Sequence, residues 1–187
     1  MRYYIVLFLL LSSLLSSCVA VIVAGAATSM IVYDKRNLVM LERDARIFHL
    51  VHDKIVNDPS FQESRISVVS FNQIVLLIGQ VSNQSLRKFA ETITYNTPNV
   101  KHTYNQLTVS YPLSLTKRTN DTVITTQVRS KMLGREGLHS GFIRIITEDR
   151  VVYLMGTVNQ EQANLAVDVA RKVKGVRKVV KIFQYIA

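Results

Sequence analysis

Apolar residues recur along this chain in two periods, and the same succession of periods appears twice. Ile47, Leu50, Val51 and Ile55 fall three or four apart, the spacing of one helix face. Ile66 and Val68 then alternate with polar neighbours, and Val75 to Val81 is a nearly unbroken apolar run; both read as strands, joined by a turn at Asn72-Gln73. Leu86, Phe89, Ala90 and Ile93 return to the helical period behind a cap at Ser82 or Asn83, and Val100 to Val109 reads as a last strand. The second round has Ile124, Val128 and Met132 on a helix, Ile143 and Ile145 on a strand, and a turn at Glu148-Asp149-Arg150. The run Val152 to Val158 follows, then a helix capped by Asn159 with Ala163, Ala166, Val167, Ala170 and Val173 inward, then a strand from Val176 to Tyr185.

The two rounds are one unit repeated. Val75-Leu76-Leu77-Ile78-Gly79-Gln80-Val81 aligns with Val152-Tyr153-Leu154-Met155-Gly156-Thr157-Val158, an offset of 77 residues that also carries Asp44 onto Asp121 and Ile47 onto Ile124. One residue is lost after the glycine, and Asn99-Val100-Lys101 then aligns with Gly175-Val176-Arg177. Each unit reads α-β-β-α-β, an α+β fold in which two helices pack on one face of a small three-stranded mixed sheet. The boundaries expected are a first domain over 41–110, a linker over 111–120 and a second domain over 121–187. A unit of about 70 residues is near the lower limit for an independent core, so the copies are expected to pack on each other or share contacts. Asn120 or Asp121 is expected to cap the second domain's first helix, and Asp44 and Asp121 read as caps or first-turn acids. Gly79 and Gly156 read as positions of backbone need, and Gly175 opens the step into the last strand.

Ahead of the repeats, Arg2 precedes an apolar run from Tyr3 to Leu11, followed by small residues, which is the anatomy of a secretory signal over residues 1–17. That run is about half of what spans a bilayer. Leu15-Ser16-Ser17-Cys18 resembles a bacterial lipobox, which implies that Cys18 is acylated and becomes the first mature residue, leaving 18–40 as a lipidated tether. An uncleaved anchor is the alternative, because Val19 to Ala27 is also apolar. Such lipoproteins carry two or three acyl chains, palmitate among them, and one chain alone holds only marginally. Val19, in place of the Asp associated with inner-membrane retention, implies the outer membrane, facing the periplasm. Cys18 is the one Cys in the chain, which excludes an intramolecular disulfide framework and any Cys-cluster metal site.

A formal net charge of +10 points to an anionic partner, nucleic acid or phospholipid, and export disfavours nucleic acid. The charge is unevenly shared: residues 40–110 hold seven Lys/Arg and six Asp/Glu, whereas 111–187 hold 13 and six. On the second domain's first helix Arg129 and Lys131 flank the apolar face, with Lys117, Arg118 and Arg135 just outside. A denser group, Arg171, Lys172, Lys174, Arg177, Lys178 and Lys181, surrounds the end of the last helix and the last strand. It serves equally as a dipole and strand-edge device or as a surface for phosphate and acidic glycans. His49 and His52 sit near Asp53 without a third ligand of clear register, so no metal is expected. The sequence contains no nucleophile elbow, phosphate-cradling glycine loop or zinc-protease motif, so no enzyme and no cofactor are expected.

A strand running into glycine, a helix, and a Gly-Val or Asn-Val step into a final strand resembles the BON domain of bacterial envelope proteins. With two copies and the lipobox, and with Asn120-Asp121-Thr122-Val123-Ile124-Thr125-Thr126-Gln127-Val128-Arg129-Ser130 opening the second, the chain resembles the dual-BON outer-membrane lipoproteins of the DolP type. The resemblance implies a non-enzymatic protein that supports outer-membrane integrity. It implies binding to anionic phospholipid such as phosphatidylglycerol through Val123, Gln127, Arg129, Ser130, Lys131 and Arg135. The family places a Trp where Val123 stands here, which implies shallower interfacial anchoring. The other reading left open is a protein–protein adaptor for outer-membrane protein assembly or the division site, using a strand edge.

Overall fold

A computed structural model describes residues 38–186; the leader, Cys18 and the tether up to residue 37 lie outside the described residues. The first copy runs α1 (Leu38–Val56), β1 (Arg65–Phe71), β2 (Ile74–Val81), α2 (Gln84–Tyr95) and β3 (His102–Val109). The second runs α3 (Leu115–Leu133), β4 (Ile143–Glu148), β5 (Val151–Val158), α4 (Gln160–Arg171) and β6 (Lys178–Tyr185). In each copy the apolar strand is central, antiparallel to the strand before it and parallel to the one after the crossover helix. Leu77 lies between Val68 and Asn105, and Leu154 between Ile145 and Lys181.

Two-residue turns close both hairpins. Asn72 and Gln73 have φ of 49° and 65°, and Asp149 and Arg150 have 46° and 63°. Positive φ at both central positions marks the type I′ geometry that matches strand twist. Four of these residues are not glycine, so something must hold them there. Asp44 Oδ2 accepts from Asn72 N at 2.7 Å and Oδ1 from Gln73 N at 2.8 Å. Asp121 does the same in the second copy, accepting from Asp149 N and Arg150 N, each at 2.8 Å. The two aspartates are therefore not caps or first-turn acids. They are buried inside their helices and latch each helix to the hairpin turn beneath it.

The cap of α3 is accordingly corrected. Ser114 Oγ accepts from Lys117 N, and the helix begins at Leu115, ahead of Asn120 and Asp121. The segment expected as linker thus gives more than a turn to the helix. Asn83 and Asn159 cap α2 and α4 through Leu86 N and Gln162 N.

Three apolar clusters hold the molecule together. One joins Ile47, Val51 and Ile55 of α1 to Val68, Val75 and Leu77 of the first sheet. Its counterpart joins Ile124, Val128 and Met132 of α3 to Ile145, Val152 and Leu154. The third lies between the sheets: Val69, Phe71, Ile74, Leu76 and Ile78 against Val151, Tyr153, Met155 and Ile182. The order of layers is helices, sheet, sheet, helices. Polar bonds at the seam are reciprocal: Arg65, at the start of β1, reaches Glu148 at the end of β4, and Arg144 near the start of β4 reaches Ser70 O near the end of β1. The sheets therefore face each other about an approximate two-fold.

Both central strands carry a glycine where the neighbouring strand crowds in. A Cβ on Gly79 (φ +123°) would run into the Arg65 carbonyl oxygen, and one on Gly156 would come within 2.6 Å of the Phe142 carbonyl oxygen.

Candidate functional site

Helix α3 is held to the sheet by Ile124, Val128 and Met132, all buried, and by the Asp121 latch. What it turns outward is uncharged. Leu115, Val123 and Leu133 are 72%, 47% and 58% exposed. Between them stand Thr119, Thr122 and Thr126, whose hydroxyls donate back to the carbonyls of Leu115, Arg118 and Thr122 at 3.0, 3.2 and 3.0 Å. With the hydroxyls turned to the backbone, the threonines present methyl groups outward. The sequence signal for this face is the threonine spacing, which apolar periodicity omits because threonine is polar.

Cations stand on the other sides of the helix, Arg118 and Arg129 nearest the face. Lys117, Lys131 and Arg135 are exposed, and Arg118 and Arg129 are half-buried. Gln127 and Ser130 lie exposed beside Val123, so the residues Val123, Gln127, Arg129, Ser130, Lys131 and Arg135 do occupy the outer and flanking surface of α3 and the loop after it. The one acidic residue of the helix, Asp121, points the other way. Burial holds its carboxyl above the ordinary carboxylate range, opposed by the two turn N–H donors and reinforced by Glu148 and Asp149.

The second basic group is less free than its sequence density suggests. Asp168 takes Lys172 Nζ at 2.7 Å and Arg171 Nη2 at 2.7 Å, and these bonds, Lys172 first, hold its carboxyl below the usual range. Arg177 Nη2 donates to Asp149 Oδ2 at 2.9 Å. Lys174, Lys178 and Lys181 are exposed and have no acidic partner among the described residues. Gly175 (φ +96°) sits over Ile124, and Asn99 (φ 68°) takes the same step in the first copy. His52 Nδ1 lies 3.4 Å from Asp53 Oδ1, and no group of three metal-ligating side chains occurs among the described residues. Cys18 lies outside them.

Residues 43–111 and 120–187 each match the BON domain model, and the chain belongs to the BON-domain family. Within it, the chain is a dual-BON outer-membrane lipoprotein of the DolP type, lipid-anchored and facing the periplasm. It is 36% identical over 168 residues to "Outer membrane lipoprotein DolP" of Haemophilus influenzae, covering 89% of this chain and 87% of that protein. It is 34% identical over 125 residues to a "21 kDa hemolysin" of Actinobacillus pleuropneumoniae, covering 67% of this chain and 64% of that protein. Among solved structures, the structural protein CdsD of the type III secretion system of Chlamydia trachomatis aligns with a TM-score of 0.31 at 12% identity, over 75% of this chain and 92% of that one.

Proposed function

We propose that the second BON domain docks on anionic phospholipid, such as phosphatidylglycerol, through the outward face of α3, and that this docking supports outer-membrane integrity. The observation that carries the reading is a methyl-lined, acid-free helix face flanked by Arg118 and Arg129 on one side, with Lys131 beyond Gln127 on the other. Each basic side chain near an anionic surface contributes about 1 kcal/mol, and exposed Leu115, Val123 and Leu133 add shallow apolar contact. Such weak terms suffice because acylation at Cys18 would already hold the domain near the bilayer at high effective concentration. The action is binding rather than catalysis: the buried acids Asp44, Asp121 and Glu148 are all engaged in structural bonds.

Vesicle flotation tests it. Residues 38–187, folded by circular dichroism, are expected to float with phosphatidylglycerol vesicles and not with phosphatidylcholine vesicles, more weakly as salt rises. The double substitution Arg129→Glu, Lys131→Glu is expected to abolish flotation with the fold intact. Unchanged flotation would move the site to Lys174, Lys178 and Lys181.

One observation favours an adaptor as the second reading. The edge of β3 is belted: Arg87 Nη2 donates to Asn105 O, and Asn105 Oδ1 accepts from Leu107 N. Lys181 and Phe183, at the matching places in β6, have no such bonds among the described residues, which leaves that edge open to a partner strand. Absence of flotation with either vesicle would favour this reading.

A further inference from the structure

A cleft of about 560 Å³ opens where the sheet of the first copy meets that of the second. Val151 and Tyr153 are buried in its floor beside half-buried Val180, and Arg87 and Gln106 form one wall. Arg177 and Lys178 stand exposed at the mouth. The volume lies within the range of small-molecule sites.

The duplication supplies an internal comparison. Under the alignment of the two copies, Val180 corresponds to Tyr104 and Gln106 to Ile182. On the side related by the approximate two-fold, Ile182 is 1% exposed and sits with Ile74 and Leu76 in the apolar cluster between the sheets. Tyr104 is 38% exposed, so Ile182 is what fills the seam there; here the more polar Gln106 takes that place, with the smaller Val180 beside it, and the seam is hollow.

The hollow is also cationic. No acidic residue lines it. Arg87 Nη2 donates to Asn105 O at 3.2 Å, but Arg87 Nε is shielded from solvent and has no hydrogen-bond partner. Arg177 is shared with Asp149, and Lys178 has no acidic partner among the described residues. An apolar floor under three cations fits one kind of molecule, a short tail carrying a compact anion. Guanidinium groups favour phosphate in particular, through paired N–H donors, and methylenes covered on the apolar floor add to binding.

We infer that this cleft binds a monoacyl amphiphile with a phosphate headgroup, the phosphate held by Arg87, Arg177 and Lys178 and the chain laid along Val151, Tyr153 and Val180. It shares no residue with α3, so it takes single molecules while the helix meets a membrane surface.

Hexyl phosphate is the probe, with inorganic phosphate as head alone and hexanol as tail alone. The lipidated full chain is held in phosphatidylcholine nanodiscs and titrated by calorimetry against empty discs. Saturable binding of hexyl phosphate is expected, roughly tenfold tighter than either half. Val180→Tyr, which sets a ring over the floor of the cleft, is expected to remove that binding while the variant still melts as the parent does. Lys178→Gln, on the exposed mouth, is expected to weaken hexyl phosphate severalfold and leave hexanol unchanged. Binding of inorganic phosphate as tight as hexyl phosphate, or either variant binding hexyl phosphate like the parent, overturns the inference. Neutral discs make the result independent of whether α3 docks on phosphatidylglycerol.

Discussion

Arg65 Nη1 donates to Glu148 Oε1 across 2.6 Å, an ion pair that joins the first copy to the second. The same oxygen accepts from Gln80 Nε2 at 2.7 Å, and Gln80 Oε1 accepts from Leu113 N at 3.1 Å, so the pair is chained to the connecting segment. The Glu148 side chain is 8% exposed and that of Arg65 26%. Removing the cation leaves a buried carboxylate with a neutral donor only, and Arg65→Met is expected to cost about 2–3 kcal/mol. Glu148→Gln keeps an acceptor for both donors and is expected to cost about 1 kcal/mol. Urea denaturation measures both; a Gln variant as damaged as the Met variant contradicts this account.

Gly79 and Gly134 separate backbone need from mere smallness. Gly79→Ala places a methyl against the Arg65 carbonyl at a φ of +123°, whereas the nearest atom to a Cβ on Gly134 is Ser130 O at 3.8 Å. The first is expected to cost more than about 2 kcal/mol and the second to fall within about 0.5 kcal/mol of the parent. Equal midpoints in urea would show that the β1–β2 approach relaxes freely.

The raised carboxyl of Asp121 sets a pH dependence. Desolvation makes the folded chain hold this proton more tightly than the unfolded chain, whose value is near 3.8. The stability this contributes is present in full below 3.8 and is lost as pH rises through the elevated folded value, with no further change above it. Asp121→Asn lacks that slope. The gap in stability between parent and variant is therefore expected to be wider near pH 3 than near pH 7, as read from paired urea titrations. A gap that does not change, or that widens upward, contradicts it.

Tyr153 gives an alkaline counterpart. Burial, aided by the charge of Glu148, pushes its phenol from 10.0 up to about 12. The unfolded chain ionises first, so stability falls between those two values. Tyr153→Phe is expected to lose less stability than the parent across that interval, followed by circular dichroism.

Val123→Trp tests the outward face of α3 directly. The chain contains no Trp, so the new indole is a sole reporter. Its emission is expected to shift to the blue with phosphatidylglycerol vesicles and to stay put with phosphatidylcholine. Affinity is expected to tighten by on the order of 1 kcal/mol, roughly fivefold. No shift with either vesicle places the contact away from position 123.

The repeat, the element order and both helix-side cores were legible because apolar spacing changes period at each element. The start of α3 was not. Its core-facing positions run Asp121, Ile124, Val128, Met132, and an aspartate heading an apolar stripe looks like a cap, the place where aspartate is favoured. Only the hairpin turn, remote in sequence, reveals why a carboxylate belongs there. The second face of each sheet did leave a trace. Ile74 to Ile78 and Val151 to Met155 are apolar at every position, the mark of a strand covered on both sides, though nothing in the string says what covers it. The pairing of Arg171 and Lys172 with Asp168 was readable at helical spacing, yet counting net charge conceals it.

The seam between the sheets ties each copy to the other. A lone copy would bare Val69, Phe71, Ile74, Leu76 and Ile78, or their counterparts, on an uncovered greasy surface. It would have to find a twin. Duplication places that twin in the same polypeptide, and a seam that would otherwise join two equal chains joins two halves free to diverge, one near neutral and the other strongly cationic.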